Sequence, residues 1–358
     1  MLKPRPAIRN LKEYRPPLAG RTGLRLDFNE NTQGVSTRVL EKLRTIDAEQ
    51  LTRYPEREPV ETLIAGFLQL EPEQLLLTNG VDEAIQLLCH TYLDTGDRAL
   101  VVVPTFAMYE LLAASTGAEV IPVPAGSNFC FPLESLLRSL DSRTRLIAIA
   151  NPNNPTGAVA PSDQLLLLAR AAPQAAILID EAYFEFFGQT VLNEIANLPN
   201  LFVARTFSKA YGMAGLRAGI LAGPATQIRL LRKAASPYNV NAIALACLPE
   251  AMRDHQFVDR YVAEVRHGRA RLQNLLADLG IPYWPSQANF VLAQFGGCAS
   301  QFVAAMAQHN ILVRDRSCDY GCAGCVRITL GTTEQMDRVL AVMKSILNEL
   351  RNRERALA

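Results

Sequence analysis

A lysine among hydroxyl side chains and glycines is the strongest candidate for chemistry in this sequence. Lys209 lies in the segment 205–219, together with Thr206, Ser208 and Arg217. A partly desolvated amine near other cations is more often uncharged near pH 7 and can attack a carbonyl carbon. An arginine fork and hydroxyl donors can bind a phosphate beside it. The segment therefore predicts a lysine nucleophile next to an anion site, although an ordinary glycine-rich turn fits the same residues.

Two further segments place polar residues directly after short apolar runs. Asp180 and Tyr183 follow the run at 175–179, and Asn154 follows the run at 146–150. Open α/β sheets bind ligands at the carboxyl ends of their strands. If both runs are strands, the carboxylate, the phenol and the amide lie at the same edge of one sheet.

A third segment indicates a phosphate site. Residues 75–78 have the pattern of a short strand, and Gly80 follows before an apparent helix. Because the first backbone amides of a helix can bind phosphate, the amides near Val81 and Asp82 are candidates for that role.

The motifs, taken in order, resemble those of the fold-type I pyridoxal-phosphate aminotransferases over nearly the whole chain. The matching residues are Asn154-Pro-Thr-Gly157, Asp180-Glu-Ala-Tyr183, Ser208-Lys209 and Arg217. Within that family the sequence is most similar to the histidinol-phosphate aminotransferases. That likeness rests on the segments 26–31, 54–55, 104–109 and 326–332.

The resemblance implies pyridoxal 5'-phosphate as cofactor, with a role for each matching residue. Lys209 would bind the cofactor covalently and, once displaced, act as the base at the substrate Cα. Asp180 would keep the pyridine nitrogen protonated. Tyr183 and Asn154 would donate hydrogen bonds to the phenolic oxygen of the ring.

The same resemblance assigns the remaining cofactor contacts. Phe106 would stack on the pyridine ring, although a core phenylalanine fits its position too. The phosphate would be held by hydroxyls, an arginine, backbone amides and a tyrosine of the neighbouring subunit, namely Thr206, Ser208, Arg217, Val81, Asp82 and Tyr54. A homodimer is therefore expected.

The substrate end of the site is expected on the second half of the chain and on the amino-terminal arm. Arg314 and Arg327, thirteen residues apart as in the family, would bind the anionic group of the substrate. Tyr14 and Asn29 would reach the same pocket, although a packing aromatic and a turn asparagine fit them equally. The implied reaction is amino transfer between histidinol phosphate and 2-oxoglutarate, so the partners are a small-molecule amino donor and a 2-oxo acid.

Proteins with other functions could contain some of the same residues. An aromatic amino-acid aminotransferase or a threonine-phosphate decarboxylase would retain every cofactor residue. A cofactor-sensing regulator would need a DNA-binding helix-turn-helix ahead of the lobe, and the irregular residues 1–34 leave no room for it. A nucleotide-binding oxidoreductase is disfavoured because neither glycine-rich nucleotide motif is present.

Composition and patterning predict an α/β protein of two lobes. The chain has 358 residues, of which 49% are hydrophobic and 20% charged, enough for a large core. Apolar strands alternating with helices predict a mainly parallel sheet covered on both faces. We expect an arm at 1–34 that packs on the small lobe, a large cofactor-binding lobe at 35–240 and a small α+β lobe at 241–358.

The net charge and the cysteine content indicate which binding partners and which cellular compartment to expect. A net charge of +1 gives no general attraction to nucleic acid or membranes. Seven cysteines favour a reducing compartment, and without a signal-peptide pattern a cytoplasmic location is expected. Cys318, Cys322 and Cys325 have a spacing that can bind an iron–sulfur cluster or zinc, but three thiols in a loop is the preferred interpretation.

Overall fold

The computed structural model of the protein describes residues 2–18 and 20–357, with side chains up to residue 350. The strands in this part of the chain are β1 (Leu24–Arg25), β2 (Leu75–Thr78), β3 (Arg98–Val103), β4 (Glu119–Pro124), β5 (Thr144–Ala150), β6 (Ala176–Asp180), β7 (Leu201–Thr206), β8 (Gly219–Ala222), β9 (Tyr283–Trp284), β10 (Phe290–Gln294), β11 (Ile311–Leu312), β12 (Arg314–Asp315) and β13 (Cys325–Thr329).

The α-helices of the same residues are α1 (Pro6–Arg9), α2 (Thr37–Arg44), α3 (Ala48–Thr52), α4 (Glu58–Phe67), α5 (Gly80–Tyr92), α6 (Met108–Thr116), α7 (Leu133–Ser139), α8 (Ser162–Ala171), α9 (Phe184–Phe187), α10 (Ala225–Ala234), α11 (Ala242–Arg253), α12 (His255–Asp278), α13 (Ala299–Gln308) and α14 (Thr333–Leu357). In the described chain, no helix is both long enough and apolar enough to cross a membrane.

A large sheet in the order β2-β8-β7-β6-β5-β3-β4 positions the motifs found in the sequence. Its strands pair in parallel, except that β8 runs antiparallel to both β2 and β7. The expected α/β fold with a mainly parallel sheet is confirmed. The carboxyl ends of β5, β6 and β7 lie side by side, so the segments that follow these strands are brought to one edge.

The middle residues of the central strands are mostly apolar because helices cover both faces of the sheet. In β6, Leu178 packs with Leu88 of α5 on one face. Ile177 and Ile179 pack with Leu165 of α8 on the other face. Such double burial explains why β5 and β6 are continuous hydrophobic runs in the sequence.

Side-chain caps determine where several helices begin. The Oγ of Ser36 accepts a hydrogen bond from the Val39 amide at 3.3 Å at the start of α2. The Oδ1 of Asn241 accepts one from the Ala244 amide at 2.8 Å at the start of α11. Each cap satisfies an amide that has no partner within its own helix.

The carboxyl-terminal part of the chain forms a second sheet in the order β12-β13-β10-β9, with antiparallel pairing throughout. Helices α12, α13 and α14 pack against it around Phe290, Phe302 and Met336. The arm is joined to this region, because β1 pairs in parallel with β11. The division of the chain at residues 34 and 240 stays a prediction.

The three clustered cysteines lie in and beside the turn that leads into β13. Cys322 and Cys325 are buried with Leu292 and Trp284, whereas Cys318 is exposed. Across the described residues, no group of three or more His, Cys, Asp or Glu side chains is arranged to bind a metal.

Candidate active site

The carboxylate of Asp180 lies buried at the carboxyl end of β6. Its Oδ2 accepts a hydrogen bond from the Tyr109 hydroxyl at 2.5 Å, and its Oδ1 accepts one from the Ala182 amide at 2.9 Å. Burial raises the pKa of Asp180 to about 6, although these two hydrogen bonds act in the opposite direction. The carboxylate is therefore held in one orientation and available to a cationic partner.

The amine of Lys209 lies just beyond β7 and is half-buried. Its Nζ donates to the carbonyl oxygen of Phe28 at 3.2 Å and lies 6.0 Å from the centroid of the Tyr183 ring. Burial, helped by the Arg327 guanidinium, lowers the pKa of Lys209 to about 8. At pH 7 about a tenth of the amine is then neutral, compared with less than about a thousandth for an ordinary lysine.

Tyr183 and Asn29 meet at the site although they are far apart in the chain. The Nδ2 of Asn29 donates to the Tyr183 hydroxyl at 2.8 Å. Asn29 is buried with a left-handed backbone, and its Oδ1 accepts a hydrogen bond from the Thr329 hydroxyl at 3.1 Å. Burial raises the pKa of Tyr183, so its phenol stays a hydrogen-bond donor near neutral pH. The arm thus contributes directly to the site.

Arg327 of β13 reaches the same pocket from the small lobe. It donates through Nη1 to the Oδ1 of Asn154 and through Nη2 to the carbonyl oxygen of Asp27, the latter at 2.6 Å. Its Nε is buried without a partner, and none of the ion pairs among the described residues includes it. Burial lowers the pKa of Arg327 to about 10, which leaves it charged at neutral pH. It is a buried cation available to an anionic ligand.

The anion end of the site lies at the start of α5. The Nη2 of Arg217 donates to Asp82 at 2.9 Å, and Arg217 has a left-handed backbone with φ 55°. Gly80 has a left-handed backbone with φ 74°, which favours glycine, and a Cβ built there would lie 2.6 Å from Nη2 of Arg217. This close approach places a guanidinium beside the first amides of the helix, including the amide of the buried Val81.

Two buried hydroxyls complete the anion end. The Oγ1 of Thr206 accepts a hydrogen bond from the Ser208 amide at 3.1 Å. The Oγ of Ser208 is buried without a partner among the described residues. A buried hydroxyl without a partner is costly unless a ligand supplies one, which points to a bound acceptor at this position.

Other predicted residues lie at the border of this site or at the surface. The Phe106 ring stands edge-on to the Tyr109 ring with centroids 5.9 Å apart, next to the residue that holds Asp180. The Arg314 guanidinium lies 5.4 Å from the centroid of the Phe28 ring. Tyr14 is 42% exposed and Tyr54 is 78% exposed, so their roles at the site stay predictions.

Sequence reasoning assigned no role to two residues that the fold brings in. Tyr109 lies three residues after Phe106, at the start of a helix, and that spacing is the sequence signal for its place beside Asp180. Arg316 follows Arg314 by two residues, and that strand spacing puts both side chains on one face of a sheet.

Comparison with known proteins identifies the family. The sequence model of "Aminotransferase class I and II" matches residues 21–343. The chain belongs to the class I and II aminotransferases. This aminotransferase is 35% identical to histidinol-phosphate aminotransferase of Symbiobacterium thermophilum, with 96% of this chain and 99% of that protein covered. It is 33% identical to histidinol-phosphate aminotransferase 2 of Methylococcus capsulatus, with 96% and 97% covered.

A solved structure shows the same fold. Histidinol-phosphate aminotransferase from Sinorhizobium meliloti, in complex with pyridoxal-5'-phosphate, superimposes with a TM-score of 0.87 at 24% identity, covering 96% of this chain and 97% of that chain. The expected family is confirmed, and the aminotransferase is a pyridoxal-phosphate-dependent transaminase.

The residues of this aminotransferase fit that cofactor. The unpartnered Ser208 hydroxyl, Arg217 and the first amides of α5 are donors that could bind a phosphate. Asp180 is a buried carboxylate without an ion-pair partner among the described residues, which suits a protonated ring nitrogen. Lys209, with its lowered pKa, is the amine available to the aldehyde.

Proposed function

We propose that the enzyme transfers an amino group reversibly between histidinol phosphate and 2-oxoglutarate. The observation that carries this proposal is Arg327, a buried guanidinium with no ion-pair partner among the described residues, at the substrate side of Lys209. An unpaired buried charge is costly unless a ligand of opposite charge binds it. The names of the relatives at 35% and 33% identity support a phosphorylated amino donor as that ligand.

The cofactor supplies, when bound, an electron sink for the electron pair left at the substrate Cα. The protein supplies the proton chemistry. Asp180 would hold the proton on the ring nitrogen, and the hydrogen bond from Tyr109 keeps its carboxylate in place. The Nζ of Lys209 takes the proton from Cα, because an amine with a pKa of about 8 is neutral often enough near pH 7 to accept it.

Binding and orientation fall to the other residues. Ser208, Arg217 and the amides of α5 would hold the cofactor phosphate, so the ring stays fixed while the reacting atoms move. Asn154 and Tyr183 would hold the phenolic side of the ring. Asn154 also contacts Arg327, so the cofactor side and the anion-binding side of the pocket share one hydrogen bond.

The donor assignment is tested by following the cofactor absorbance of the loaded enzyme. Histidinol phosphate should remove the absorbance of the resting form, and 2-oxoglutarate should restore it. Phenylalanine and threonine phosphate serve as parallel donors, with product analysis for loss of carbon dioxide. The proposal is wrong if histidinol phosphate gives no change, or if kcat/KM for phenylalanine exceeds that for histidinol phosphate.

We also infer a homodimer in which Tyr54 completes the partner's phosphate site. Support comes from an unusual surface pair, since the Tyr54 and Tyr238 rings stack at 4.2 Å while remaining 78% and 54% exposed. Exposed aromatic pairs are typical of surfaces that bind a partner. Mixing Lys209→Ala with Tyr54→Ala subunits should restore activity, because one site of each hybrid then has both residues intact. A mixture no more active than its parents would contradict the shared site.

A cytoplasmic location is part of the same proposal. The described residues contain no disulfide, and this is the usual state in a reducing compartment. Cell fractionation tests it directly.

A further inference from the structure

The hairpin of β12 and β13 gathers three arginines on one face of the small sheet. Arg314 pairs with Arg327 in the register, and the Arg316 amide donates to the carbonyl oxygen of Cys325 at 2.9 Å, which continues the same ladder. Side chains alternate between the two faces along a strand. The side chains of Arg314, Arg316 and Arg327 therefore point to the same side.

Arg316 differs from the other two arginines in its partner. Its guanidinium forms an ion pair with Asp319, and the two side chains are 15% and 26% exposed. Its Nε remains buried without a partner, so Asp319 satisfies the guanidinium only in part. Burial raises the pKa of Asp319 while Arg316 and Arg327 oppose that rise, which shows that the three groups share one environment.

The charge of this face matches a phosphate better than a carboxylate. Three guanidinium groups and one carboxylate, Asp319, leave a formal excess of two positive charges. A phosphate monoester carries about −1.5 to −2 at pH 7, and a carboxylate carries −1. A carboxylate as the only anionic group on Cα would leave part of this charge uncompensated.

The distance of the anionic group from Cα gives a second distinction between the phosphate and the carboxylate. In histidinol phosphate the phosphorus stands at the end of a CH2–O link on Cα, whereas the α-carboxylate of glutamate is bonded to Cα directly. Arg316 lies two residues beyond Arg314, a distance of about 6.5 Å along a strand. A group that extends further from Cα can reach an arginine displaced along the strand more readily than a short group can.

The geometry points to Arg316 as a specificity-determining residue that binds the phosphate of the amino donor, while Asp319 holds its guanidinium when a carboxylate occupies the pocket. This inference rests on the proposed function, because it takes the donor to be a phosphorylated amine. It adds a third guanidinium to the two that the family resemblance supplied.

Arg316→Gln tests the inference, with both half-reactions measured on the cofactor-loaded enzyme. We expect KM for histidinol phosphate to rise about 10- to 100-fold, the usual loss for one charge-assisted hydrogen bond. KM for glutamate should stay within about twofold, and Arg316→Lys should recover part of the loss because it keeps the charge. Arg338→Gln, at an exposed arginine of α14, is the matched control.

The variant Asp319→Asn distinguishes phosphate binding by Arg316 from a purely structural role of the Arg316–Asp319 ion pair. If Arg316 binds phosphate, removing its competing carboxylate should leave KM for histidinol phosphate unchanged or lower it. If the ion pair only stabilises the turn, both variants should lower Tm and weaken both donors equally. The second pattern would overturn the inference.

Inorganic phosphate provides a readout that does not need the donor. Its affinity for the loaded enzyme, measured by calorimetry, should fall about 10-fold in Arg316→Gln, and an unchanged affinity would count against the role. If wild-type enzyme binds phosphate through Arg316 but does not turn over histidinol phosphate, the proposed substrate fails. If it turns over histidinol phosphate and Arg316→Gln affects both donors alike, the inference fails alone.

Discussion

The two ends of the pocket use charge in opposite ways. At the end built by the large sheet, burial moves the pKa values of Asp180 and Lys209 toward 7, to about 6 and about 8. At the end built by the second sheet, Arg327 is as buried as Asp180 but stays fully charged at pH 7, with a pKa of about 10. An amine that must accept a proton near pH 7 needs a lowered pKa, whereas a group that only binds anions needs a permanent charge.

The two ends of the pocket also differ in how many side chains serve the same role. Asp180 and Lys209 each stand alone, and each is held by hydrogen bonds to a tyrosine or to backbone. The arginines of the β12–β13 hairpin share one face and one counter-charge. We therefore expect single substitutions to be far more damaging at the first end than at the second.

Lys209→Ala should have the largest effect. It removes both the covalent attachment and the base, so we expect kcat to fall about 10⁴-fold or more. Steady-state assays at saturating cofactor measure the loss, and thermal melting verifies the fold. Lys233→Ala, at an exposed lysine of α10, should be nearly unchanged. Retention of more than about a hundredth of the activity would show that another group is the base.

Arg205→Met tests the scaffold beneath the large-sheet end. Arg205 forms a buried ion pair with Glu181 at 2.8 Å, next in the chain to Asp180. Removing one partner leaves a buried carboxylate uncompensated, so the free energy of unfolding should fall by about 3 kcal/mol in urea titrations. Arg53→Met removes the exposed Arg53–Glu49 pair and should cost less than about 1 kcal/mol. Equal losses would contradict this difference between buried and surface pairs.

Arg327→Gln tests the small-lobe end. Because Arg327 would serve both half-reactions, we expect KM for both the amino donor and 2-oxoglutarate to rise about 100-fold, with a smaller change in kcat. Half-reaction kinetics with each substrate measure the changes in KM and in kcat separately. An effect on only one substrate would show that the two anions bind at different places.

Titration of Lys209 tests whether the two ends are independent. In cofactor-free protein, competitive labelling of its amine should give a midpoint near pH 8. The Arg327 cation disfavours a second positive charge nearby, so Arg327→Gln should move the midpoint to higher pH. Arg338→Gln should leave it in place. An unshifted midpoint in Arg327→Gln would mean that Arg327 does not contribute to the lowered pKa of Lys209.

Much of the large lobe was predictable because its signals are local. Apolar runs, turn residues and the strand–glycine–helix segment at residues 75–92 predicted elements within a few residues of their observed bounds. The antiparallel direction of β8 was not predictable in this way, because it depends on its pairing with β2 and β7. Short runs define a strand without defining its neighbours.

The sequence by itself determined the order of the motifs and the candidates Lys209 and Asp180, which have local patterns, and the family resemblance added Arg327. Only the tertiary structure decided which groups meet. Tyr109 and Asp180 are 71 residues apart, Asn29 and Tyr183 are 154 apart, and Arg327 and the Asp27 carbonyl are 300 apart. Such contacts depend on how sheets and lobes pack, and local periodicity contains no record of that packing. The shifted pKa values also depend on the tertiary structure. The burial that raises the pKa of a carboxylate exists only after the chain has folded.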